Sequence, residues 1–176
     1  MSPASQEDAN ILAFAEILYH GDKKALADLR TALADFIPFY RQHGAAMLID
    51  VDYLVNHMWA DGADPWGVLI DVGTLHKFVH ESDWRAGADE IAEGLAELVT
   101  ARKLKVDWDE VAEMEAEAAE IYTAIATQVR PAGDALIICD RGSDSYPLAF
   151  VPAKSTAEAQ RLALAIGRGE VFVPDE

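Results

Sequence analysis

Residues 133–152 read GDALIICDRGSDSYPLAFVP, and this stretch decides the fold class. Ala135 to Cys139 is a continuous apolar run too short for a helix and bounded by turn-forming residues. Asp140 to Ser145 is turn chemistry, and a second apolar run follows from Tyr146 to Val151. Two strands joined by a polar turn predict a β-hairpin. Pro147 has no N–H to give to a ladder, so it is expected at an edge, a bulge or a strand start.

Outward from the hairpin the period changes from two to 3.6. On its C-terminal side Ser155 is expected to cap an amphipathic helix through Ile166, with Gly167 as its stop and Val171-Phe172-Val173 as a closing strand. On its N-terminal side Asp107 is expected to cap one long helix that buries Val111, Met114, Ala118, Ile121, Tyr122, Ile125 and Val129 and ends at Pro131 and Gly133. Ala88, Ile91, Ala92, Leu95, Leu98 and Val99 mark another helix, with Arg102, Lys103 and Lys105 near its end to complement the dipole. His76 to His80 reads as a short strand ending at Ser82-Asp83-Trp84, and Asp64-Pro65 opens a helix to about Leu75. Nearer the N-terminus, Met47, Leu48, Val51, Leu54, Val55, Met58 and Trp59 favour a helix, although Ile49, Val51 and Tyr53 alternate like a strand. Asp22 begins a helix with Leu26, Leu29, Leu33, Phe36, Ile37 and Tyr40 on one face, which Pro38 should bend or end. Ser5, then Ile11, Phe14, Ala15 and Leu18, and Gly21 delimit the first helix. The expectation is an α+β fold, mostly helical, with a small, largely antiparallel C-terminal sheet. It forms one domain over 1–176, a helical hairpin (about 5–44) packed on an α+β body (about 45–176).

Composition bounds the function. Among 176 residues, 31 are acidic and 14 basic, a formal charge of -17, which argues against nucleic acid and against anionic membranes as partners. No apolar run reaches the ~20 residues that a membrane helix needs. The single cysteine, Cys139, excludes an intrachain disulfide framework and fits a reducing compartment. No basic n-region and apolar h-region open the chain, so the expected location is cytoplasmic.

Leu136-Ile137-Ile138, Gly142-Ser143-Asp144-Ser145-Tyr146-Pro147-Leu148 and Val151-Pro152, with Ser82-Asp83-Trp84 ahead of a helix, resemble an uncharacterised bacterial domain family. That family is loosely similar to the Smi/Knr-like immunity and adaptor superfamily. The resemblance implies a fold and a binding role rather than catalysis, and it carries over no functional residue.

Candidate chemistry is sparse. His76 and His80 are the natural pair for a metal, but on a strand that spacing separates them by about 13 Å, too far for one ion. No His-Glu-x-x-His motif, phosphate loop or nucleophile elbow is present, so no cofactor or metal is expected and no catalytic residue is assigned. Residues 81–120 hold 13 acids and 4 bases. In one helix, Asp109, Glu113, Glu117 and Glu120 form a like-charged stripe, either a solvated face or a docking surface for a basic protein. Asp140, Gly142, Ser143, Asp144, Ser145 and Tyr146 form the most specific loop, read as turn stabilisation, with Asp144 bonding locally and Arg141 within reach of it. The reading favours a non-enzymatic acidic binding module. The alternative is a metal-dependent or carboxylate-based hydrolase using Asp83, Asp140, Asp144 and His80, which requires those side chains to converge.

Overall fold

Four strands form one antiparallel sheet in the order β1-β3-β2-β4, in a computed structural model that describes residues 6–47, 50–52, 64–167 and 170–174. The predicted hairpin is its centre. β2 (Asp134–Asp140) and β3 (Ser145–Pro152) pair from Asp134↔Pro152 to Ile138↔Leu148. Pro147 falls beyond that register, near the start of β3, opposite Glu81 of β1 (Val79–Asp83). β4 (Glu170–Phe172) pairs with the far end of β2, from Ile138↔Phe172 to Asp140↔Glu170.

Strand alternation sends side chains to two faces, and helices cover both. Ile137, Cys139, Ala149 and Val151 join a core with α1 (Gln6–Leu18), α2 (Lys23–Ala34), α3 (Phe36–His43), α4 (Pro65–Leu75) and α8 (Thr156–Ile166). Leu136, Leu148 and Phe150 point the other way, into a core with α5 (Ala88–Ala96), α6 (Trp108–Ala112) and α7 (Ala118–Val129). The fold is α+β, a small antiparallel sheet between two helical layers.

Several helix limits follow their caps. Asp22 accepts from the Lys24 and Ala25 amides, and Asp64 from those of Trp66 and Gly67, satisfying donors that a helix start leaves free. Pro38 acts upstream of its own position. In a continuous helix its ring would meet the Ala34 carbonyl and its missing N–H would leave that carbonyl unbonded, so α2 stops at Ala34, and α3 starts after Asp35 with Pro38 in its first turn.

Other expectations need correction. The strand begins at Val79, not His76, which lies at the C-cap of α4. Arg102 and Lys103 occupy a separate 3-10 turn, Ala101–Lys103, beyond the last turn of α5. Ser155 stands at the cap of α8 without a side-chain bond, and Thr156 bonds the Ala153 carbonyl instead. Asp107 does cap α6, but Asp83 caps a turn through the Arg85 amide, because α5 starts only after Gly87. Met47 ends a 3-10 turn begun at Gly44. Ser5, Leu48, Ile49, Tyr53, Leu54, Val55, Met58 and Trp59 lie outside the described residues.

The long helix after Asp107 is two helices. α6 closes at Ala112 and α7 opens after Glu117, so Asp109, Glu113, Glu117 and Glu120 do not share one helical face. Asp109, Glu113 and Glu117 supply the reason. One continuous helix would stack these acids at i, i+4, at roughly 0.2–0.5 kcal/mol of repulsion per pair. The break gives Glu120 a first-turn position, as Asp109 and Glu110 have in α6, where the dipole favours negative charge.

Candidate functional site

The α5–α7 layer is where the acids stand free. Asp107, Asp109, Glu110, Glu113, Glu115, Glu117 and Glu120 are all exposed, and no Lys, Arg or His occurs from Val106 to Val129. Among the described residues none of the seven forms an ion pair. Beneath them Val111, Ile121, Tyr122, Ile125 and Val129 are buried, with Met114 and Trp108 packed partly against the same core. The acids thus crown a solid layer although the break between α6 and α7 removes the helical stripe.

The opposite layer uses its charges internally. Burial alone would raise the Asp28 carboxyl, but Lys24 at 2.9 Å and His76 at 2.8 Å outweigh it and hold it below its usual range. At the end of the sheet Arg141 donates to Asp71 at 3.2 Å and to Glu81 at 2.6 Å, and Tyr40 donates to the second oxygen of Asp71. Burial dominates at Asp71 and raises its carboxyl despite Arg141 and Tyr40. At Arg141 burial opposes the charge, but Asp71 and Glu81 prevail and raise its pKa. This network ties the hairpin turn to α4 and β1. Proximity in sequence points Arg141 to Asp144, but its partners stand 70 and 60 residues away.

Within the turn, Asp140 and the two serines make the local side-chain bonds, and Asp144 does not. Asp140 accepts from the Gly142 amide at 2.7 Å, and Gly142 takes the left-handed backbone (φ +69°) that favours glycine. The Ser143 hydroxyl bonds that of Ser145 and receives its amide. Asp144 supplies its carbonyl to the Trp84 amide at 3.2 Å, while its carboxylate makes no hydrogen bond among the described residues. Trp66, fully buried, anchors the turn by donating its indole N–H to the Asp140 carbonyl at 2.9 Å.

His76 and His80 do not act as a pair. His76 bonds Asp28, whereas His80 of β1 faces α5 and rests its ring on Gly94, where any Cβ would fall 2.1–2.4 Å from ring atoms. The His80 Nε2 is buried without a partner among the described residues, and burial depresses its pKa against the opposing pull of Glu90, Glu81 and Glu97. A shallow cleft of about 500 Å³ opens there, lined by Lys77, His80, Glu90, Glu93 and Glu97 among others. Alternation along β1 separates His80 from Asp83, which shares its face with Val79 and Glu81, so the four residues of the hydrolase reading do not converge. Among the described residues no group of three or more His, Cys, Asp or Glu is placed to hold a metal ion. Cys139 is fully buried and its thiol is pushed up to about 12 by that burial, which removes thiolate chemistry at neutral pH. No described helix is long and apolar enough to cross a membrane.

Residues 10–173 match the family described as Domain of unknown function (DUF6630). No curated protein and no solved structure matches the chain.

Proposed function

The chain belongs to the DUF6630 family of domains of unknown function, and on that premise we propose that it is a non-enzymatic binding module whose acidic α5–α7 layer engages a basic protein. The observation that carries this reading is the run of seven exposed acids from Asp107 to Glu120, without an ion pair among the described residues and without a basic residue between Val106 and Val129. A protein that needed charge only for solubility would gain from interspersed signs, which relieve self-repulsion. A concentrated negative surface on a packed layer speeds encounter with a cationic partner and fixes its orientation. The loose similarity to the Smi/Knr-like superfamily of the family that the Ser82-Asp83-Trp84 and Gly142 to Leu148 segments resemble supports an immunity or adaptor role of this kind. In this reading residues 1–176 act as one unit in the cytoplasm, where nucleic acid and anionic membranes are repelled by the charge of -17.

Paired baits test it. Wild-type protein and the Glu113→Lys/Glu117→Lys variant are compared with Glu16→Lys/Glu170→Lys, an equal charge change at exposed positions elsewhere. The expected result is a basic partner recovered from the host by wild type and by the remote variant, and lost from the first variant. Equal recovery by all three baits returns the acidic layer to ordinary surface.

A further inference from the structure

Two segments that stand apart in the sequence, Ser82-Asp83-Trp84 and Gly142-Ser143-Asp144-Ser145-Tyr146, meet at one end of the sheet. Ser82 is paired with Tyr146 and Asp83 with Ser145, and the Trp84 amide donates to the Asp144 carbonyl. The meeting leaves two aromatic rings in solvent, Trp84 at 50% exposure and Tyr146 at 37%. Exposed tryptophan is uncommon without a role, since its ring is the largest apolar surface that a side chain can bury. One exposed carboxylate, Asp144, stands at the same end with no ion pair among the described residues, whereas Asp83 alternates to the other face with Glu81. Tyr146 is close enough to Tyr122 of α7 for the two phenols to interact electrostatically.

The chain shows what this surface accepts. The Arg85 guanidinium lies 4.4 Å from the centroid of the Trp84 ring. It takes the aromatic face in preference to a carboxylate, for Arg85 has no ion pair among the described residues. The indole stays half exposed even with this cation on it, so ring surface remains for another.

We propose that Trp84 and Tyr146, with Asp144 at the same end of the sheet, form a receptor for an arginine side chain of the basic partner. The chemistry selects arginine over lysine. A planar guanidinium stacks flat on an aromatic ring and still presents N–H groups at its edge to carboxylates, whereas an ammonium is a compact, strongly hydrated point charge. The acidic layer attracts the partner, and the aromatic end of the sheet reads one of its side chains. The inference rests on the docking role proposed above and adds the residue type recognised.

Nine-residue homopolymers of arginine and of lysine serve as probes, titrated against the full chain by calorimetry and by NMR of the indole N–H signals, with Trp84 assigned through Trp84→Phe. The expected result is a Trp84 signal that moves with the arginine peptide and an affinity about threefold to fivefold higher for arginine than for lysine. Trp84→Ala, at an exposed position that the fold does not need, should bring arginine down to the lysine level. Glu113→Lys/Glu117→Lys should weaken both peptides alike. If the peptides bind equally and Trp84→Ala changes neither, the receptor is overturned while the acidic docking surface stands. If neither peptide binds, both fall.

Discussion

The two faces of the sheet carry the same residue types and use them in opposite ways. On the α1–α4 and α8 side Asp22 and Asp64 cap helices, Asp28 holds His76, and Asp71 and Glu81 hold Arg141. On the α5–α7 side Asp109, Glu110, Glu113, Glu115, Glu117 and Glu120 hold nothing among the described residues. An acid built into a network is fixed by the fold and pays its desolvation through its partners. A solvated acid costs the fold little and stays available to an incoming cation. The difference teaches that function on this chain is to be sought where charge is left over.

The largest effect should come from breaking the inner network. Arg141→Ala leaves Asp71 buried against Glu81 without its cation, and urea unfolding should show a loss of about 3 kcal/mol, at the low end for a buried pair because both side chains keep some solvent contact. Adding Asp71→Asn should recover part of that loss by removing the stranded charge. An unchanged midpoint for Arg141→Ala would erase the distinction between the faces.

Next comes Gly94→Ala. Its new Cβ would enter the His80 ring, and the overpacking, at roughly 1–3 kcal/mol, should exceed the helix-propensity gain of ~1 kcal/mol. His80 also sets a pH dependence. Its folded pKa lies below the unfolded value of about 6.5, so the unfolded chain binds the proton more readily. Stability is therefore present above that value and declines as pH falls through it toward the folded pKa. His80→Gln should flatten the thermal midpoint between pH 7 and pH 5.

Caps sharpen the comparison at smaller scale. Asp22→Ala should cost about 1 kcal/mol and Asp140→Ala a similar amount, because each removes a side chain that receives backbone amides. Glu117→Ala should change stability by under about 0.5 kcal/mol, since Glu117 stands at a helix start without a side-chain cap bond. Asp144→Ala belongs with Glu117, contrary to what its place in the loop suggests.

These cases show what the sequence makes legible. The Asp22 and Asp64 starts and the Gly167 stop rest on neighbours within four residues, and the hairpin on two apolar runs joined by one short turn, so the chain displays them directly. Pro38 is legible too once its clash is assigned to the Ala34 carbonyl. The break between α6 and α7 is harder, because apolar spacing runs through it unbroken from Val111 to Val129 and only repulsion among Asp109, Glu113 and Glu117 marks it. Arg141 with Asp71, and Trp84 with Tyr146, are invisible in the sequence, since the fold joins residues 60 or more positions apart. The candidate surface was therefore half legible: its acids by composition, its aromatic end only in three dimensions.

The smallest stability effect carries the most functional weight. Glu113→Lys/Glu117→Lys should leave the thermal midpoint unchanged or slightly raised as like-charge repulsion is relieved. The most direct test is then the association rate of the recovered basic partner as salt rises, for wild type and for this variant. The account predicts a rate that falls steeply with salt for wild type and a slower, nearly salt-independent rate for the variant, because screening over about 8 Å at physiological ionic strength removes the attraction of exposed charges. Equal rates with equal salt dependence would contradict it.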